Sequence, residues 1–354
     1  MKKFIVFFIF FINFVFADTN IVSRFIKSLD SANCKDYQCV LDAFDCKKQK
    51  DCEERKQDWQ EAVDALSELN TSSLDIDDKD KAIVELMKSF ITKDLSNLKI
   101  LLDKNQNLIN QDEMTLFDVL TDMMVTEIWG TQSYSKEHFY NVLNLLLSYK
   151  PDLNYKAKDS NSTLFNSLII LPIENEDRIK ISDMLLNSGL DIKKQSMVRG
   201  ISTLYVALIS DNFEMFSYYL KNGVVEDKML FYCVIDPMYK YMDELSLYND
   251  NGIDKNYEKL IISPEFKQVQ KDGIKYLEEY LKYRKLKDES VESLIATTKY
   301  LALSNNVEAI KLLVDNGILE NERAKSIFIT YATMYGDFTK NYNKKEILDL
   351  VDKK

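Results

Sequence analysis

The residues able to do chemistry in this chain are few and unevenly spread. Four of its five cysteines, Cys34, Cys39, Cys46 and Cys52, lie in one short stretch. In an exported protein an even-numbered cluster of this kind forms disulfides. Zinc is the rival reading. However, gaps of four, six and five residues lack the C-x2-C knuckle of zinc ribbons. Four cysteines allow three pairings. Facing residues of an antiparallel helical hairpin have a nearly constant index sum, so the nested pairs Cys34–Cys52 and Cys39–Cys46 fit that geometry best. Cys233, within Leu230-Phe231-Tyr232-Cys233-Val234, reads as a buried apolar thiol.

The single histidine, His138, stands in Lys136-Glu137-His138-Phe139 and reads as a solvated residue rather than a catalytic base. A Ser–His–Asp triad must use it, and no serine has a nucleophile's sequence context. Gly-rich phosphate loops and paired-histidine metal motifs are absent from the sequence. That leaves carboxylates, which can act in pairs as acid and base. Nothing singles out a pair among the 57 acidic residues. The chain is therefore expected to be non-enzymatic, with no catalytic, cofactor-binding or metal-binding residue and no cofactor.

The first residues speak to compartment. Lys2 and Lys3 precede the apolar run Phe4 to Phe16, and Val15-Phe16-Ala17 places small residues before Asp18. This is the pattern of a cleaved secretory signal peptide over residues 1–17. The run is shorter than the roughly 20 residues a membrane span takes, so no span is expected after cleavage. Losing Lys2 and Lys3 moves the formal charge from −11 to −13. A net negative chain repels phosphate backbones and anionic lipid surfaces, which argues against nucleic acid as a partner. The expected location is the periplasm, with full secretion the lesser alternative.

Gly is 8 and Pro only 4, a composition that favours helices over tight β-turns. Residues 18–78 read as a small Cys-rich helical cap, ending at the polar break Asn70-Thr71-Ser72-Ser73. From residue 79 apolar residues recur at helical spacing. Ile83, Val84, Met87, Phe90 and Ile91 make one stripe, and Leu95, Leu98, Leu101 and Leu102 make another.

The stretch Pro151 to Gly223 carries a repeated pattern. Ser162-Thr163-Leu164-Phe165 and Leu185-Leu186-Asn187-Ser188-Gly189 are followed by Ser202-Thr203-Leu204-Tyr205-Val206-Ala207 and Tyr219-Leu220-Lys221-Asn222-Gly223. A further unit is Tyr300 to Gly317. The pattern resembles the ankyrin repeat, with its T-P-L-H-x-A opening and L-L-x-x-G close. Here Ser stands for the motif Thr, Thr for Pro, and Phe165 or Tyr205 for His. The resemblance implies an all-α, ankyrin-like helical-repeat solenoid over residues 79–354, with the disulfide-linked cap in front of it. The spacing between repeats puts the extra residues inside helix pairs and keeps the linkers short, which is where a solenoid tolerates insertions.

A large insertion is expected at about residues 236–266, bracketed by Pro237 and Pro264. It holds Tyr239, Tyr241, Tyr248 and Tyr257. Tyrosine buries much area at little entropy cost, so these four are the candidate partner-binding residues. The family carries no catalytic residues to transfer. The resemblance implies a protein-binding scaffold, whose partner is another protein, such as a basic toxin or enzyme that the negative charge would steer. Two versions follow, an immunity protein against a secreted toxic enzyme and an accessory factor of a periplasmic oxidative-defence enzyme; the rival, from a different class, is a carboxylate-based hydrolase of cell-wall material.

Overall fold

The computed structural model describes residues 78–109, 135–154, 164–169, 171–193, 201–224, 228–241 and 255–352 continuously. It also describes most residues of 57–73, part of 120–128, and 197–198, 226, 248–249 and 252–253. These residues are helical apart from turns, loops and two-residue strand segments. They fall into two units, Met1–Gly200 and Ile201–Lys354. The predicted signal peptide and Cys34, Cys39, Cys46 and Cys52 lie outside the described residues.

The first unit contains α1 (Asp78–Ile91), α2 (Leu95–Lys104), α3 (Lys136–Ser148), the single turn α4 (Leu164–Ser167) and α5 (Asn175–Asn187). The stripe expected on α1 is its buried face: Ile83, Val84, Met87 and Phe90 are all in the core. Full burial of one such side chain is worth about 1.5–3 kcal/mol, so the stripe orients the helix. α1 packs on α2, and α2 on α3.

The second unit contains α6 (Thr203–Ile209), α7 (Phe213–Lys221), α8 (Met229–Ile235), α9 (Lys255–Leu260), α10 (Pro264–Tyr283), α11 (Val291–Ser304), α12 (Val307–Asp315), α13 (Glu322–Phe338) and α14 (Lys344–Asp352). Its contacts run in two series. In one, α6 touches α8, α8 touches α11, and α11 touches α13. In the other, α7 touches α10, α10 touches α12, and α12 touches α14.

Turn chemistry makes the hairpins. Between α1 and α2, α6 and α7, and α11 and α12, one residue turns left-handed: Lys93 (φ 59), Asp211 (φ 46) and Asn305 (φ 53). An Asx residue follows each and caps the next helix. Asp94 accepts the Asn97 N–H at 2.9 Å, while Asn212 and Asn306 accept those of Met215 and Ala309 at 3.1 Å each. The later helices end through a second left-handed residue at Lys150 (φ 54), Gly189 (φ 102), Gly223 (φ 83) and Gly317 (φ 91). This is the usual close of a helix, satisfying its last carbonyls. The Val224 N–H, for example, reaches the Tyr219 carbonyl at 3.0 Å.

The insertion departs from expectation. Both of its ends are built into the second unit: Met238, Tyr257, Leu260, Ile261 and Phe266 are buried. A 3-10 turn, Asp236–Tyr241, continues α8 and packs against α10. Pro237 lies so close to Gly273 of α10 that a Cβ there would come within 2.2 Å of the proline ring. Between these ends is a short hairpin in which Tyr248 pairs with Ile253 and Asn249 with Gly252.

Candidate functional site

Several tyrosine hydroxyls in this fold tie helices to acids. The Tyr149 hydroxyl donates to Asp103 at 2.6 Å, joining α3 to α2. Tyr140 of α3 donates to Asp177 of α5 at 2.8 Å. Asp177 is buried, and Lys136 meets its other oxygen at 2.5 Å, so the carboxylate is both paired and hydrogen-bonded, as a buried charge must be. In the second unit Tyr276 donates to Asp211 at 2.7 Å, and Tyr280 donates to Glu289.

The four tyrosines proposed as partner contacts have different fates. Tyr239 and Tyr241 lie on the 3-10 turn, and Tyr248 on the hairpin. Tyr241 is half-buried, its ring edge-on to Phe266 at 5.3 Å. Tyr257 is a correction: it has 0% exposure and cannot touch a partner. Its hydroxyl donates to the Leu303 carbonyl at 2.7 Å. Tyr342 donates to the Ala302 carbonyl at 2.7 Å, and the Gln270 amide to the Ser304 carbonyl at 2.6 Å. The last carbonyls of α11 lack partners within the helix. Three side chains from α9, α10 and the segment before α14 supply them, so Tyr257 holds the fold together.

His138 is a second correction. Its charged neighbours suggest a solvated residue, but the side chain is buried against Phe90, with ring centroids 5.4 Å apart. Its Nε2 has no hydrogen-bond partner. Burial, followed by the charge of Lys93, pushes its pKa down, against a smaller opposing effect of a hydrogen bond with the Phe90 backbone. The lowered pKa keeps the imidazole neutral at pH 7.

The most perturbed acid in the second unit was not singled out by sequence. Asp236, at the junction of α8 and the 3-10 turn, has its pKa raised to about 6, first by burial and then by the charge of Asp211. Asp211 itself receives Tyr276 and, at 3.0 Å, the Lys275 ammonium. The signal available was an acid closing the apolar run Leu230–Ile235 directly before Pro237. Nearby, Cys233 is a free, buried thiol whose pKa burial pushes well upward, which keeps it un-ionised and inert. It lines a cavity of about 10 Å³ with Gln270, Gly273 and Ser304, room for about one water.

Among the described residues no cluster of three or more His, Cys, Asp or Glu converges as a metal site. No described helix is long and apolar enough to cross a membrane. Compared with known proteins, the chain matches no family model, no curated protein and no solved structure.

Proposed function

We propose that the chain is an exported, non-enzymatic protein-binding scaffold built from degenerate ankyrin-like helix pairs and working in the periplasm. The observation that carries this reading is the double series of contacts in the second unit. First helices α6, α8, α11 and α13 meet in order, and second helices α7, α10, α12 and α14 meet in order. Such nearest-neighbour stacking is how repeat scaffolds bury their apolar faces and leave an extended surface for partners. The recurrent left-handed hairpin turns support it further. Acidic charge favours a basic partner, such as a toxic enzyme that an immunity protein would neutralise, with binding that weakens as salt rises. Tyr241, Tyr239 and Tyr248 remain the partner-contact candidates. The test is capture: immobilised protein, cross-linked to envelope extract, should retain a specific basic protein, and Tyr241→Ser with Tyr248→Ser should release it. Recovery of no protein above a scrambled-surface control would overturn the reading.

A carboxylate-based hydrolase remains the second reading, because one observation favours it. Burial and then the charge of Asp211 raise the Asp236 pKa to about 6, in the range where a carboxyl group can serve as a general acid. Cleavage of cell-wall glycan or peptide that vanishes in Asp236→Asn would support it, and inactivity of the wild-type protein on both would remove it.

A further inference from the structure

The polar break before α1 reads Glu68-Leu69-Asn70-Thr71-Ser72. Asn-x-Ser/Thr is the acceptor sequon for N-linked glycans in exported chains. The whole sequence contains only two, this one and Asn161-Ser162-Thr163, and both carry an acid two residues before the asparagine, Glu68 and Asp159. Asn161 lies outside the described residues.

The fold presents this motif in a selective way. Glu68, Asn70 and Ser72 are exposed, whereas the residues between them are anchored. The Leu69 carbonyl accepts the Lys88 ammonium at 2.9 Å. Thr71 is buried, and its hydroxyl donates to Glu85. Asn70 and Ser72, which define the sequon, and Glu68 are thus exposed, while the residues between them hold the segment to α1. Asn70 Oδ1 accepts the Ser72 N–H at 3.1 Å.

We propose that Asn70 is an N-glycosylation site, taking an oligosaccharide from a polyprenyl-diphosphate donor. Asn70 Nδ2 bonds to the anomeric carbon of the sugar, and the bond from that carbon to the diphosphate oxygen breaks. The polyprenyl diphosphate leaves, and the amide gives one proton to a base of the transferase. Glu68 supplies an anionic contact for a cationic residue of that enzyme, and Ser72 the required hydroxyl. Such transfer occurs outside the cytoplasm, so in the cell the site rests on the export reading.

The test avoids that dependence. Purified full-length Asn161→Gln protein, which retains one sequon, is incubated with a bacterial oligosaccharyl transferase and an undecaprenyl-diphosphate-linked heptasaccharide. Intact mass should rise by one heptasaccharide. The rise should vanish in Asn161→Gln with Asn70→Gln and with Ser72→Ala, and be lost or sharply reduced with Glu68→Gln. Unchanged mass while a control acceptor peptide is fully converted, or a rise that survives Asn70→Gln, overturns the assignment. Cell fractionation reports separately on export.

Discussion

The carboxamide of Asn154 joins two loops of the first unit: its Oδ1 accepts the Asp191 N–H at 2.7 Å. Its Nδ2 also donates to the Gly189 carbonyl at 2.9 Å. The two loops follow α3 and α5 and carry the left-handed residues Lys150 and Gly189. One side chain thus satisfies a donor and an acceptor of a neighbouring turn and sets the spacing between them. Replacing Asn154 by Ala leaves both backbone groups to water. We expect a loss of about 1–2 kcal/mol, read as a lower urea midpoint. Asn154→Asp keeps the acceptor for Asp191 and should fall between the two. Equal midpoints for all three would remove the tie from the account.

Gly223 closes α7 at φ 83, a conformation strained for a β-branched residue. Gly223→Val should cost about 1–2 kcal/mol, measured by denaturant unfolding. An unchanged midpoint would mean that the chain closes this helix another way.

Tyr257 separates a core role from a contact role. Tyr257→Phe keeps the ring and strands the Leu303 carbonyl in the interior, at a cost of about 1–3 kcal/mol. Tyr257→Ser also empties the space of the ring and should cost about 3–5 kcal/mol. Replacing Tyr239, Tyr241, Tyr248 and Tyr257 together by Ser should therefore lower the melting temperature, whereas four purely partner-facing residues would leave it nearly unchanged. A quadruple variant that melts like the wild type would restore the contact role of Tyr257.

His138 should make the first unit acid-sensitive. Its folded pKa lies below the unfolded value of 6.5, so the unfolded chain takes up a proton first as pH falls. Stability contributed by the neutral imidazole is present above pH 6.5 and is lost progressively below it. His138→Gln should flatten this part of the curve between pH 7 and 5. Parallel wild-type and variant curves over that interval would show that the ring titrates freely.

Asp236 works in the opposite sense. Its folded pKa of about 6 exceeds the ordinary 3.8, so its neutral form stabilises the fold below pH 3.8, and that contribution is lost as pH rises through 6. Asp236→Asn should be more stable than wild type at pH 7.5, with the advantage shrinking towards pH 4. A constant difference across that range would contradict burial of an ionised carboxylate.

How much was legible follows from how far apart the causes lie. The stripe Ile83, Val84, Met87 and Phe90 was readable because a helix puts those residues on one side whatever it packs against. Positions closing helices at Gly189, Gly223 and Gly317 were readable too, since the left-handed close favours glycine. The equivalent role of Lys93, Asp211 and Asn305 left no such mark, because three different side chains adopt one backbone conformation. Tyr257 sits on a helix of six residues, too short to show a period. Its burial depends on α11, more than 30 residues further along. His138 reads as solvated from Lys136 and Glu137, yet Phe90 decides its environment from another helix. The helix stripes and the glycine closes were thus local and already present in the sequence. Which tyrosine is buried, which acid keeps its proton and which loops are tied together depend on residues distant in the chain, and only tertiary packing brings those into contact.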